Sequence, residues 1–593
     1  MTVPGFSSDR LPPNLLGTRA KVLLSSVFGP YAQDDEYGSR AINPMELYHN
    51  QVTRLQGPFS LRMFHRSWGL MFIQANLDAP CTLLDFPTLD RFVAELRRED
   101  YNVVGIGSIT INVLKVKKMC ELVRQYRPNA QIVVGGHVAN IADLDRRIDA
   151  DHIVRGEGVR WFRALLGEAP DRPFRHPLIP TRIGTRALGE PIPENPHDVM
   201  ATLIPSVGCP MGCNFCATSA MFGGKGKFFS FFRSGDELFD IMQQLEETIN
   251  ARSFFVMDEN FLLDRRRALR LLELMKEHDK AWILHLFSSA NALSAYSIEE
   301  LVEMGVSWVW LGLEGEDSRY AKLDGIDTFA LVRNLQAHGI RVLGSTIIGL
   351  ENHTPENIDA VIDHAVRSGA DFHQFMLYMA LPGTPLHDDL AAEGRMLDEC
   401  ECPHSDMHGQ HHFNYRHLHI RDGRETDYLR QAFQRDFDRN GPSVMRIVRT
   451  ALNGWQRYKH HPDARLHRRF QREIADLAPI YAAAIAAAKK HYRHQPALKA
   501  RFSVLLGDLV EEFGGKTRRY GVFGGHYLQQ KIRLEEQRLA QGWTYEPPTF
   551  YEANEAALAL PHHGEPPRRA RYVEPQAPEP AVDEIPALAA AQE

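Results

Sequence analysis

The stretch Ser206-Val207-Gly208-Cys209-Pro210-Met211-Gly212-Cys213-Asn214-Phe215-Cys216 sets three thiols at C-x3-C-x2-C spacing inside one glycine-bearing loop. Iron–sulfur clusters are held by cysteine thiolates and normally take four of them. Three thiolates at this spacing, with no fourth nearby, predict a [4Fe-4S] cluster in which one iron lacks a protein ligand. That open iron is the expected reactive one. Structural zinc also takes thiolates, but it closes a tetrahedron with four ligands, usually as two separated pairs. No second pair follows at such a distance.

Working outward, short apolar runs alternate with amphipathic stretches on both sides of the loop. Downstream, strands are expected at Thr202–Pro205, Ser253–Met257, Trp282–Phe287, Trp308–Leu313, Val342–Gly349 and Phe375–Ala380. Helices are expected at Asp236–Thr248, Arg265–His278, Ile298–Met304, Phe329–His338 and Pro355–Ser368. Upstream, Lys21–Ser26, Cys81–Phe86, Asn102–Gly107, Gln131–Gly136 and His152–Gly156 read as strands, with amphipathic segments at Leu89–Arg98 and Val113–Tyr126. The fold class is therefore α/β. Residues 1–19 form a loose arm, 20–170 a doubly wound Rossmann-like domain, and 171–200 a linker rich in proline and glycine. Residues 201–390 hold six βα units, 391–425 a Cys/His-rich connection, 426–547 a mainly helical domain, and 548–593 a disordered tail of Pro, Ala and Glu.

In both α/β domains, ligands are expected at the carboxyl ends of the strands. Those ends carry Ser108, Thr110, Gly135, Gly136, Gly156, Glu157 and Gly158 in the first domain. In the second they carry Asp258, Glu259, Ser289, Asn291 and Glu314. The segment from Asn43 to Gln51 and on to Trp68–Ile73 lengthens the first crossover, as an extended helix pair or part of a substrate entrance.

Cys209, Cys213 and Cys216, with Phe215 just before the third thiol, resemble the cluster loop of the radical S-adenosylmethionine (SAM) superfamily. Gly135-Gly136-His137, Arg155-Gly156-Glu157-Gly158 and Gly105-Ile106-Gly107-Ser108-Ile109-Thr110 resemble the N-terminal cobalamin-binding domain of its class B members. The resemblance covers roughly residues 20 to 385 and implies a partial (β/α)6 barrel over 201–390. It implies that SAM chelates the open iron and is cleaved to a deoxyadenosyl radical, chemistry a protein takes from its cofactors. Cobalamin would lie on Ser108, Thr110, Gly135, Gly136, Gly156, Glu157 and Gly158. Phe215, Asp258, Glu259, Ser289, Asn291 and Glu314 would surround SAM, with Asp258 and Glu259 standing where the superfamily often has Gly-Gly-Glu. The cobalt-ligating motif Asp-x-His-x-x-Gly is absent, and His137 is not assigned to cobalt. The implied reaction is methyl transfer to an unactivated carbon of a hydrophobic substrate such as a lipid, hopanoid or tetrapyrrole. Two alternatives stand beside it: cobalamin-dependent cyclisation, rearrangement or carbon–carbon coupling, and a non-catalytic cobalamin or redox sensor. An external electron donor of flavodoxin or ferredoxin type is implied as partner.

Composition bounds the rest. The chain has 593 residues, 44% of them hydrophobic, and a net charge of -7, which makes no general case for nucleic acid. No apolar run is long enough to span a bilayer, and the first residues show no signal-peptide pattern. Seven cysteines, three of them clustered, argue for a reducing, cytoplasmic setting. The run Cys400-Glu401-Cys402 to His412 concentrates metal-binding residue types, but thiols one residue apart chelate one ion poorly. Basic residues interleaved with aromatics over Trp455–His461 and Arg465–Arg472 read as solvated helix faces, with peripheral contact with an anionic membrane as the alternative.

Overall fold

The computed structural model describes residues 16–29, 36–39, 53–62, 65–181, 185–192, 195–314, 325–545, 550–552 and 569–571. Most of the expected arm, the Asn43–Gln51 segment and most of the expected tail lie outside these residues.

Five parallel strands form the first domain: β1 (Val22–Ser25), β2 (Cys81–Asp85), β3 (Val103–Gly107), β4 (Gln131–Gly135) and β5 (His152–Val154). Their order is β2-β1-β3-β4-β5, so the chain reverses direction between β1 and β3. That switch point is where open α/β sheets bind ligands. Strand alternation sorts the core into two layers. Leu23, Leu84, Val104 and Ile132 meet Phe92, Leu96, Met119 and Val123 of the helices Leu89–Arg98 and Val113–Tyr126. On the other face Leu24, Leu83, Val103 and Val133 share a core with Phe72 and Phe162 of the helices Trp68–Ala75 and Gly158–Leu165.

The second domain is an open sheet of six parallel strands in sequence order: β6 (Val199–Leu203), β7 (Ala251–Val256), β8 (Ile283–Ser288), β9 (Val306–Gly312), β10 (Arg341–Ile348) and β11 (Phe372–Leu377). All six expected strands are present. The intervening helices start where local chemistry says they should. Ser234 with Glu237, and Ser297 with Glu300, form reciprocal capping boxes at Gly235–Ile249 and Ile298–Glu303. Asn250, at φ 55°, closes the first of these helices in the left-handed region.

Three features add to these expectations. The 171–200 linker is partly ordered, with Arg186–Ala187 and Glu190–Pro191 building a small sheet with Leu61–Arg62. The presumed tail contributes β12 (Phe550–Glu552), antiparallel on β2. Two arginines of the basic run 455–472, Arg465 and Arg469, face inward. Arg469 is 1% exposed and donates to the carbonyls of Val302 and Val306, while Arg465 donates to those of Lys280 and Glu303. Glu473 binds Arg341, Arg469 and Ser307 in the same buried network. These guanidinium groups serve the barrel, while Arg457, His460, His467 and Arg468 of the same run remain exposed.

Candidate active site

The cluster loop follows β6 and is framed by a short antiparallel pair, Ser206–Val207 against Phe229–Ser230. Gly208 (φ 84°) and Gly212 (φ 67°) take left-handed turns. A Cβ on Gly212 would stand 2.5 Å from Lys225 Cα, so only glycine fits. Gly226 N–H reaches back to the Pro210 carbonyl at 2.8 Å. Cys216 caps the helix Ala217–Met221, its Sγ accepting the Ser219 N–H at 3.4 Å. Ser219 Oγ in turn donates to the Cys209 carbonyl at 2.8 Å. None of the three thiols is in a disulfide, and all are half-buried. Burial pushes the Cys209 thiol up to about 11, a shift that ligation of its thiolate to a metal would offset. Among the described residues no three His, Cys, Asp or Glu side chains surround one ion position, here or in the Cys400–His412 segment. Thiols spread along a loop suit separate irons of one cluster better than a single tetrahedral ion.

Beside the loop stand the ends of β7, β8 and β9. Asp258 is committed to protein donors: Oδ2 accepts from Ser206 Oγ at 2.6 Å and Arg267 Nη2 at 2.7 Å, and Oδ1 from Asn260 N–H at 3.1 Å. Glu259 is different. Its Oε2 is buried with no hydrogen-bond partner, and burial lifts its carboxyl to about 7 while the Gly208 N–H opposes the shift. An orphaned carboxylate oxygen beside the cluster loop fits the amino group of SAM. Ser289 accepts from Asn260 Nδ2 at 2.8 Å and donates to Asn291 Oδ1 at 2.5 Å, so these polar groups hold one another. Glu314 is buried at φ 38°, a left-handed setting that is strained for a glutamate and that collects at functional sites.

The first domain meets this site through its own loops. Gly136, at φ 85°, would place a Cβ 2.3 Å from the Ser108 carbonyl, so the loops after β3 and β4 touch backbone to backbone. Thr110 Oγ1 donates to the His137 carbonyl at 3.3 Å. Exposed Ile109, next to Ser108 at this glycine crevice, fits the apolar face of a planar macrocycle. His137 Nε2 lies 3.2 Å from Thr218 Oγ1, on the helix that Cys216 caps. A Cβ on Gly156 would contact the Met221 carbonyl of that helix at 3.8 Å, and one on Gly383 would crowd Asn140 at 2.9 Å. The cobalamin-type crevice and the cluster loop are thus one hydrogen bond apart.

Glu157 accepts the N–H groups of Val159 and Arg160 and caps Gly158–Leu165. Burial nevertheless raises its carboxyl from 4.5 to about 7. Between those values the folded chain holds a proton that the unfolded chain has lost, so stability falls as pH rises through this window. Glu157→Gln is therefore expected to exceed the parent in stability by about 3 kcal/mol above neutral pH, the difference closing below about pH 4.5. Urea denaturation at the two ends of the window measures it.

Alternate residues of the barrel strands face its concave side. Phe255, Phe287 and Trp310 lie there, half-buried, opposite the fully buried Phe254, Leu286 and Val309. Phe287 stacks on Trp310 at 5.0 Å and meets Phe255 at 5.7 Å. Trp68 of the first domain lies 6.0 Å from Phe255 and 5.0 Å from His65. An aromatic wall therefore continues from the barrel into the first domain.

The structure gathers Cys209, Cys213, Cys216, Phe215, Asp258, Glu259, Ser289, Asn291 and Glu314 on one barrel end, and Ser108, Thr110, Gly135, Gly136, Gly156, Glu157 and Gly158 on the loops facing it. Phe215 packs edge-on against Tyr378 at 5.8 Å, and Tyr378 donates to Asn214 Oδ1 at 3.2 Å. Asn260, Tyr378 and the barrel part of the aromatic wall (Phe255, Phe287 and Trp310) were not singled out by the sequence, whereas Trp68 lies in the segment expected at a helix pair or substrate entrance. The period-two alternation of β7 to β9 carried the signal for the wall.

The family model of the radical SAM superfamily matches residues 203–365, and that of the B12 binding domain matches 64–166. The chain is 25% identical over 338 residues to "Uncharacterized methyltransferase PH0819" of Pyrococcus horikoshii, covering 51% of this chain and 72% of that protein. It is 24% identical over 350 residues to the hopanoid C-2 methylase of Rhodopseudomonas palustris, covering 56% of this chain and 63% of the methylase. A solved structure of the radical SAM methyltransferase TsrM from Kitasatospora setae, with cobalamin and a [4Fe-4S] cluster bound, is 14% identical, covers 77% of this chain and 99% of that one, and has a TM-score of 0.46. With both models matched on the two domains that face each other across the His137–Thr218 bond, this chain carries a B12-binding domain followed by a radical SAM domain, the pair whose cofactors are cobalamin, a [4Fe-4S] cluster and SAM.

Proposed function

We propose that the chain transfers a methyl group to an unactivated carbon of a largely apolar substrate held between its two cofactor domains. The observation that carries the proposal is the half-buried wall of His65, Trp68, Phe255, Phe287 and Trp310, which offers ring faces and, for polar groups, only the ring nitrogens of His65 and the two tryptophans. A site of this kind selects apolar surface and excludes water. The methyl-transfer part draws on the names of the relatives, among them a hopanoid methylase. When bound, the cluster and SAM supply a carbon-centred radical and cobalamin supplies the methyl group.

The chain's own residues do the positioning. Cys209, Cys213 and Cys216 hold iron, and Glu259 offers its unpaired oxygen to a cationic group. The glycine crevice at Gly136 holds the second cofactor, while the His137–Thr218 bond sets the distance between the two sites. An external electron donor of flavodoxin or ferredoxin type and a cytoplasmic location belong to the same reading.

The test is anaerobic turnover of the reconstituted chain with SAM, methylcobalamin and a reductant on lipid extracts from a deletion strain. A product heavier by one methylene unit is expected, together with 5'-deoxyadenosine. Turnover that consumes SAM without a mass gain would sink the methyl-transfer assignment. Trp68→Ala is expected to raise KM by about 10- to 100-fold, since truncating a buried aromatic contact is worth about 1–3 kcal/mol. An unchanged KM would remove the aromatic wall from the substrate site.

A further inference from the structure

Beyond the catalytic domains, the C-terminal hairpin pairs the alanine-rich helix Ala478–His491 with the long helix Pro496–Ala540, which breaks at Gly514 (φ 74°, ψ -156°). The half after the break is pressed closely onto its partner. A Cβ on Gly525 would stand 2.7 Å from Ala486 Cβ, and one on Gly524 2.9 Å from Ala483 Cβ. Gly521, Gly525, Gln529 and Ile532 are buried by this packing, which fixes the helix's rotation.

The opposite face therefore has to point outward, and it does not look like an ordinary wet helix face. Phe523 is 76% exposed, and Tyr520, Val522, Tyr527 and Leu534 are exposed with it. Residues 513–534 contain five cations, Lys516, Arg518, Arg519, Lys531 and Arg533, and no Asp or Glu. Lys531 pairs with Glu190, whereas Lys516, Arg518, Arg519 and Arg533 make no ion pair among the described residues. The partner helix Ala478–His491 carries no acid either and ends in Lys489 and Lys490. Soluble surfaces intersperse charges of both signs, and contiguous exposed apolar groups mark an interaction site.

We propose that this face, centred on Phe523, docks on an anionic lipid bilayer, with the helix lying in the interface plane. Cations attract the headgroups, and aromatic side chains sink to the boundary between headgroup and acyl chain. A second copy of the chain would oppose like charges, and an acidic protein would meet the cations but leave the projecting Phe523 and Val522 unused. The face is also tied to the active site. Glu535, on the same helix, accepts from Ser60 Oγ at 2.8 Å and from Arg62 Nη1 at 2.7 Å, in the strand just before His65 and Trp68 of the aromatic wall. Docking would thus bring a membrane-dissolved substrate near that wall, a benefit that rests on the apolar-substrate reading, whereas the docking itself does not.

The test is co-sedimentation of the full chain with phosphatidylglycerol–phosphatidylcholine vesicles and with pure phosphatidylcholine vesicles, read without turnover. Binding to the mixed vesicles is expected, weakened by high salt and much weaker on phosphatidylcholine alone. The exposed pair Phe523→Ser/Tyr527→Ser should weaken it at least about tenfold, and Lys516→Glu/Arg518→Glu/Arg519→Glu at least about 100-fold, with circular dichroism unchanged. No binding by the parent chain overturns the proposal, as does full binding by either variant. A charge-reversed variant that loses binding while the serine variant keeps it makes the lipid contact purely electrostatic and overturns the docking through Phe523. A dimer in sedimentation velocity that Phe523→Ser dissolves, with no vesicle binding, assigns the face to a second copy and equally overturns the bilayer.

Discussion

Cys213→Ala is expected to abolish SAM cleavage, lowering 5'-deoxyadenosine formation on the order of 10^3-fold or more and stripping most of the iron, while the fold persists. A cluster held at three points cannot lose one without becoming labile, because each thiolate satisfies a different iron. The loop sits outside the main cores: its three cysteines are half-buried and its shape rests on Gly208, Gly212 and the Ser219 bonds. Global stability should therefore change by less than about 1 kcal/mol in the metal-free chain. The control is Cys400→Ala/Cys402→Ala, which should leave iron content and cleavage at parental levels. Iron analysis, electron paramagnetic resonance of the reduced protein and product chromatography decide it. Retention of cleavage by Cys213→Ala would remove the loop from the chemistry.

The second large effect concerns Asp258, read here as a positioning residue. Its carboxylate bridges Ser206, at the entry to the cluster loop, and Arg267 on the helix Arg265–Glu277, and all three side chains are buried. Asp258→Ala leaves the guanidinium without its counter-charge and should destabilise the chain by about 3–5 kcal/mol. It should also lower cluster occupancy, since Ser206 loses its anchor. Asp258→Ala/Arg267→Met separates the two effects. Removing the orphaned charge should recover part of the stability, measured by chemical denaturation, but not the iron, measured after reconstitution. A parental melting profile for Asp258→Ala would show that the bridge carries no stability.

Much of the architecture was legible in the chain itself. The five strands before the cluster loop and the six around it are short apolar runs bounded by turn residues, and each pairs with its neighbours through main-chain groups that a local pattern predicts. β12 was not legible. Three residues, Phe550–Glu552, carry too little periodicity to mark a strand, and their pairing with β2 spans more than four hundred residues. The inward turn of Arg465 and Arg469 was hidden for a related reason. A charge run states that cations are present, but their partners are carbonyls of Lys280, Val302, Glu303 and Val306, far away in sequence.

By itself the sequence determined the chemistry available: three thiols in one loop, glycines after strands and carboxylates at strand ends. Local spacing suffices there, because thiolate ligation and glycine turns depend on neighbours a few residues apart. Only the tertiary structure decided how those parts are used. It spent Asp258 on Arg267 and left Glu259 an unpaired oxygen, joined His137 to Thr218 across the two domains, and lined up Trp68 with Phe255. It also buried Arg465 and Arg469 of one basic run and exposed Lys516, Arg518 and Arg519 of another. The reason is that burial and pairing of charge depend on which distant surfaces the packing brings together, and a linear pattern does not specify them.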